Sequence, residues 1–184
     1  MATWVSTATV DDLPAIIASA DALFATDAGV HNAAGTNLRW AAESGAAYYT
    51  SLLANRDNIV LLARDGNEVA GHLVGRLRSP SDVYPLRVAD LESVHVYSAH
   101  RNRGIGEQLI TAFLAWADEK GAQRAVVSAY AANDGARRFY ARHGFIVRTV
   151  TLDLDLPRNH RPPATAATQR EGKDGCSSRF RGNV

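Results

Sequence analysis

The period of hydrophobic positions changes repeatedly along the 184-residue chain, and each change marks a predicted element. Residues 3–8 (TWVSTA) read as a strand, and VDDLPAIIASADALF follows with helical spacing, Thr9 or Asp11 as its cap and Pro14 near enough to its start to be tolerated. After the loop DAGVHNAAGT, residues 37–54 again space apolar side chains helically, at Leu38, Ala41, Tyr48, Leu52 and Leu53; Gly45 weakens the middle, leaving one helix or two. NIVLLAR (58–64) and EVAGHLVGRLR (68–78) flank Asp65-Gly66-Asn67, whose Asp-Gly pair supplies the positive φ of a tight hairpin. RVADLESVHVY (87–97) predicts a further strand. GIGEQLITAFLAWADEKG predicts the clearest helix, with Ile105, Leu109, Ala112, Phe113, Trp116 and Ala117 on one stripe and Gly121 at its stop. AQRAVVSAY (122–130) then reads as a strand, ANDGARRFYARHG as a short helix ending at Gly144, and FIVRTVTLDLDL (145–156) as a last strand.

An antiparallel first half and a strand–helix–strand crossover together predict a mixed α/β (α+β) domain with a parallel pair at its centre. Charge divides the chain. Residues 157–184 carry six Lys or Arg against Glu171 and Asp174, a net +4, which leaves residues 1–156 with 14 basic against 17 acidic side chains, a net −3. A mildly acidic body argues against a nucleic-acid partner and tolerates a cationic small molecule. The tail, rich in Pro, Ala, Thr, Ser and Gly, has too few apolar positions to offset ordering; a domain over 1–156 and a disordered basic tail over 157–184 are expected. The lone Cys176 builds neither a disulfide framework nor a thiolate cluster, which fits the reducing cytoplasm. No apolar run approaches 18 residues, so no membrane partner is expected. The six histidines show no ligand spacing, and no metal is expected.

The chemistry concentrates at RNRGIG, residues 101–106. A glycine-containing turn that opens a helix aims several free N–H groups at one point, where the helix dipole adds positive potential. Such a point binds anions, with Arg101 and Arg103 offering charge from the rim. It can equally be a plain structural turn. A nucleoside-triphosphate loop would need Gly-Lys-Ser/Thr where Glu107-Gln108 stands, and the dinucleotide fingerprint would need glycine where Leu109 stands.

Two segments resolve the ambiguity. LESVHVYSAHRNRGIGEQLITAFLAWA and, one strand later, NDGARRFYARHGF resemble the GNAT N-acetyltransferase superfamily, in which a V-x-V strand precedes an R-x-x-G-x-G/A turn and a later N-x-x-A-x-x-F-Y-x-x-x-G-F segment closes the site. Val94, Val96, Arg101, Gly104, Gly106, Asn133, Ala136, Phe139, Tyr140, Gly144 and Phe145 fill those positions. Ser98 and Asn102 stand where the family often has Pro and Gly, and Asn tolerates a left-handed backbone better than most residues.

The resemblance implies a central, mostly antiparallel sheet of six or seven strands with about four helices, splayed between the fourth and fifth strands. It implies acetyl-CoA as co-substrate, its diphosphate held by the turn from Arg101, Asn102 and Arg103 through Gly104, Ile105, Gly106 and Glu107, and its pantetheine arm by the main chain of Val94, His95 and Val96. Asn133, Ala136 and Tyr140 would flank the other side. Tyr140, a core aromatic on the residue pattern alone, becomes the general acid beside the leaving sulfur. Glu92 is either the base serving the amine, as in polyamine acetyltransferases, or an ion-paired strand residue; strand alternation would put it on one face with Asp90, Val94 and Val96 and send His95 to the other. Trp40, Tyr48 and Tyr49 line an acceptor cavity or pack the core. The function implied is acetyl transfer to a primary amine, of a small molecule, an aminoglycoside or a peptide, by direct attack in a ternary complex. A non-catalytic acyl-CoA-binding module is the alternative class, and a homodimer is permitted.

Overall fold

The structure, a computed structural model, describes residues 2–156; the basic tail expected over 157–184 lies outside the described residues. Residues Met1–Ile146 form one compact unit. Its elements run β1 (Thr3–Thr7), α1 (Leu13–Leu23), a π-helical turn Phe24–Ala28, the one-turn α2 (Gly29–His31), α3 (Trp40–Leu53), β2 (Asn58–Asp65), β3 (Glu68–Arg78), β4 (Val88–Val96), α4 (Ile105–Glu119), β5 (Arg124–Val127) and α5 (Asp134–Arg142). Thr9 and Asp12 start the first helical run: the Thr9 amide donates to Asp12 Oδ2 at 2.9 Å, while Arg64 of β2 donates to Asp12 Oδ1 at 2.6 Å and ties helix to sheet.

The five strands lie in the order β1-β2-β3-β4-β5, antiparallel up to β4 and parallel between β4 and β5. Asp65 and Glu68 pair across the tight turn, where Gly66 has φ +63°, as the Asp-Gly pair predicts. Helices cover both faces, so β2 and β3 are buried on both sides and read as near-continuous apolar runs. On one face Leu61, Leu73, Ala89 and Leu91 meet the α4 stripe of Ile105, Leu109, Phe113 and Trp116. On the other, Val60, Leu62 and Val74 meet Ile16 and Ala20 of α1 and Tyr49 and Leu52 of α3. Gly45 does not divide α3: a Cβ there would come within 3.4 Å of Ile17, so glycine lets α1 and α3 lie close. The run Val10–His31, 22 residues with a mean hydropathy of 1.3, is long and apolar enough to cross a membrane, yet Ile16, Ser19 and Ala20 spend its apolar face on the core.

Two departures from the sequence expectation bear on function. β3 pairs Val74 with Ser93 but Gly75 with Leu91, so Glu92 is the extra residue of a β-bulge. The bulge reverses the expected alternation. Ala89, Leu91, Val94 and Val96 all pack on the α4 side, whereas Glu92 contacts Tyr48 and His95 contacts Ser19 on the α1/α3 side. The second departure is the strand count, five among the described residues where the resemblance implied six or seven. Residues 147–156, described by themselves, carry no regular secondary structure, and Val147, Val150, Leu152, Leu154 and Leu156 are exposed. Apolar alternation is necessary for a half-buried strand but not sufficient, because the backbone also needs a hydrogen-bonded neighbour.

Candidate active site

β4 and β5 pair over four positions, Val88↔Arg124 to Leu91↔Val127, and then part. β4 continues to Val96 with β3 on one edge and, among the described residues, no strand on the other. Where it ends, a 3-10 turn (Ser98–His100) leads into RNRGIG. Asn102 has φ +60°, the left-handed geometry it was expected to tolerate, and Gly104, the N-cap of α4, has φ +77°. Among the described residues no side chain caps α4, which leaves the amides of its first turn without a side-chain acceptor.

The rim arginines are engaged within the protein. Arg101 Nε donates to the Val96 carbonyl at 2.9 Å, and Arg103 donates to Asp65 Oδ2 at 2.5 Å. Asp65 is buried, also receives His100 Nδ1 at 3.2 Å, and leaves its Oδ1 without a partner among the described residues. The two glycines divide their duties. A Cβ at Gly104 would meet nothing within 4 Å, so only its backbone angle requires glycine, whereas a Cβ at Gly106 would lie 3.1 Å from the Phe139 ring. Gly106 therefore lets α5 close onto α4. Ile105 is buried in the core, and Glu107 is exposed.

Asn133 ends the β5–α5 connection with both side-chain atoms in use. Its Oδ1 accepts from the Ala136 amide at 2.9 Å, capping α5, and its Nδ2 donates to Asp27 Oδ1 at 2.8 Å. The Ala136 amide is thus spent on the cap. Tyr140, one turn further along α5, packs against Phe139 and Phe145, with ring centroids 5.5 and 5.8 Å away. Burial, reinforced by the negative charge of Asp27, pushes its hydroxyl up to about 12, so it keeps its proton across the neutral range.

Glu92 faces a cleft of about 450 Å³ lined by Arg76, Arg78, Asp90, Leu91, Val127 and Ser128. Tyr48 donates to its Oε1 and Arg76 to its Oε2 at 3.3 Å, and Arg78 pairs with Asp90. Burial and the hydrogen bond to Glu92 push the Tyr48 hydroxyl well above its ordinary value. Trp40 packs on Tyr48 and Tyr49 at 5.0 and 6.3 Å; Tyr49 is buried in the core, while Tyr48 reaches Glu92.

His95 is buried and bonded. Ser19 Oγ lies 3.0 Å from His95 Nδ1 and 2.7 Å from His72 Nδ1, and His72 Nε2 lies 3.3 Å from Ser93 Oγ. Desolvation holds His72 down at about 3, and desolvation with the Arg101 charge holds His95 at about 4, so both rings are neutral at pH 7. Asp27, Asp65, Ser19 and His72 belong to these networks without any sequence signal marking them. Asp65 read only as a turn residue, and Asp27 lay in a stretch that read as helix running into loop.

Residues 30–145 match the Acetyltransferase (GNAT) family. No curated protein matches the chain. Among solved structures it is similar to a transcriptional regulator from Bacillus halodurans C-125, with 24% identity and a TM-score of 0.68 over 84% of this chain and 100% of that one. An aminoglycoside acetyltransferase from an uncultured soil metagenomic sample, solved with trehalose, has 22% identity and a TM-score of 0.64 over 84% of this chain and 97% of its own. A predicted acetyltransferase from Clostridium acetobutylicum, solved with acetyl-CoA, has 16% identity and a TM-score of 0.68 over 87% and 100%. At these identities the structural likeness establishes the fold, and the family match extends over well over half of the chain. With its sheet parted after Leu91 beside α4 and this match over residues 30–145, the chain belongs to the GNAT acetyltransferase family.

Proposed function

We propose that the protein is an acetyl-CoA-dependent N-acetyltransferase that modifies a primary amine of a small molecule by direct transfer in a ternary complex, in the cytoplasm to which a single cysteine points. The observation that carries this reading is the uncapped first turn of α4, set where β4 and β5 part. Its free amides and dipole fit a diphosphate, and the unpaired edge of β4 fits an extended amide-bearing arm laid alongside as a strand would be. Acetyl-CoA, when bound, supplies the activated thioester.

The residues divide the remaining work. The amides from Gly104 to Glu107 hold the anion, while Arg101 and Arg103 are structural braces of the turn that add positive potential from behind. Tyr140 presents a protonated hydroxyl, a hydrogen-bond donor for negative charge developing on sulfur. Of the two roles weighed for Glu92, its pairing with Arg76 and Tyr48 supports the structural one: both oxygens are engaged, and it shapes the acceptor wall.

Two measurements test the reading. Calorimetry should give saturable acetyl-CoA binding, and thiol release over alkylamines, aminoglycosides and peptides should identify an acceptor. No affinity for acetyl-CoA overturns the proposal. Affinity without turnover of any amine replaces the enzyme with a binding module.

A further inference from the structure

α1 sits on β4 through Ser19, whose hydroxyl reaches His95. Eight positions later, about 12 Å along a helix axis, Asp27 touches Asn133 in the connection that follows β5. The π-helical turn Phe24–Ala28 that carries Asp27 therefore links the α1 contact on β4 to the β5–α5 connection, and the His31 ring, 5.4 Å from that of Tyr130, adds a second contact to that connection. Such turns widen a helix by one residue and re-aim its side chains.

The carboxylates on β4 and on this turn differ in charge balance. Glu92 is matched by Arg76 and Asp90 by Arg78. Asp27 has neither Lys nor Arg beside it among the described residues: its Oδ1 takes the neutral amide of Asn133 and lies 3.9 Å from His31, and its Oδ2 has no hydrogen-bond partner. Its side chain is one-third exposed, at 33%.

We infer that Asp27 is a specificity-determining residue that binds the acceptor's ammonium through Oδ2, next to the helix bearing Tyr140, before that nitrogen gives up a proton to water and attacks, which makes the acceptor an alkylamine charged at neutral pH. The inference rests on the amine-acetyltransferase reading above. Part of the charge on Asp27 is felt by Tyr140, whose hydroxyl it helps to keep protonated, so the two groups share one electrostatic neighbourhood. A cation at Oδ2 completes the only carboxylate of the three that the fold leaves without an arginine.

The test uses Asp27→Asn in the full chain with the amine that the wild-type protein turns over best. The amide oxygen still accepts from Asn133, so thermal stability and acetyl-CoA affinity should stay unchanged. The readout is the preference for that amine over its hydroxyl isostere, measured as the ratio of their dissociation constants. Wild type should prefer the amine at least tenfold, and Asp27→Asn should bring the ratio close to one, with kcat/KM for the amine falling by about a hundredfold. An unchanged ratio, or equal weakening of amine and alcohol, overturns the inference while the acetyltransferase reading stands. Lost acetyl-CoA affinity in the variant would make Asp27 a positioning residue for Asn133 and also overturn it. A wild-type protein that turns over no amine removes both.

Discussion

Tyr140 is where a single side chain should matter most to turnover. Replacing it by Phe leaves the ring packing with Phe139 and Phe145 and removes only the hydroxyl, so acetyl-CoA affinity should hold while kcat falls by roughly 10². Because burial raises the hydroxyl to about 12, no alkaline loss of rate below pH 10 should trace to it; steady-state kinetics of Tyr140→Phe from pH 7 to 10 check both statements. The place of Tyr140 on a short helix beside Phe139 was legible in the residue pattern. Asp27 was not, since a π-turn leaves no mark in a pattern read at 3.6 residues per turn. Glu92 was half legible: its place on β4 followed from the strand, but its face did not, because a bulge inserts a residue without changing composition.

Among the elements, α4 and its turn were read most faithfully, since a sustained apolar stripe and a glycine stop specify a helix by local rules alone. The 145–156 strand was overread for the opposite reason: strand formation depends on a partner elsewhere. The glycines of the turn allow a divided prediction. Gly104→Ala meets no atom and strains only the backbone, at a cost of about 1–2 kcal/mol, and it should weaken acetyl-CoA binding by displacing the first-turn amides. Gly106→Ala should instead push Phe139 away and lower kcat through Tyr140 next to it, with a smaller change in acetyl-CoA affinity. Calorimetry and kinetics on the two variants separate these outcomes, and a common loss of both quantities would refute the division.

For the molecule as a whole, the buried Ser19–His72–His95 network sets how stability follows pH. The folded-state values of about 3 and 4 lie below the ordinary 6.5, so unfolding takes up protons between those limits. Stability is then complete above about pH 6.5 and falls as pH drops toward 4, by up to about 1.4 kcal/mol per pH unit for each histidine. Urea midpoints at pH 7, 6, 5 and 4.5 should decline along this course, and His72→Gln should flatten the decline. The meeting of these rings through Ser19 could not be read from the sequence, because the contacts join positions 53 and 76 residues apart.

The link from Asp65 at the hairpin to Arg103 and His100 in the turn has a thermodynamic corollary. Ordering a loop normally costs conformational entropy at the moment a ligand arrives. Here the β2–β3 hairpin settles that cost during folding, so the turn stands preorganised for the diphosphate proposed to bind there.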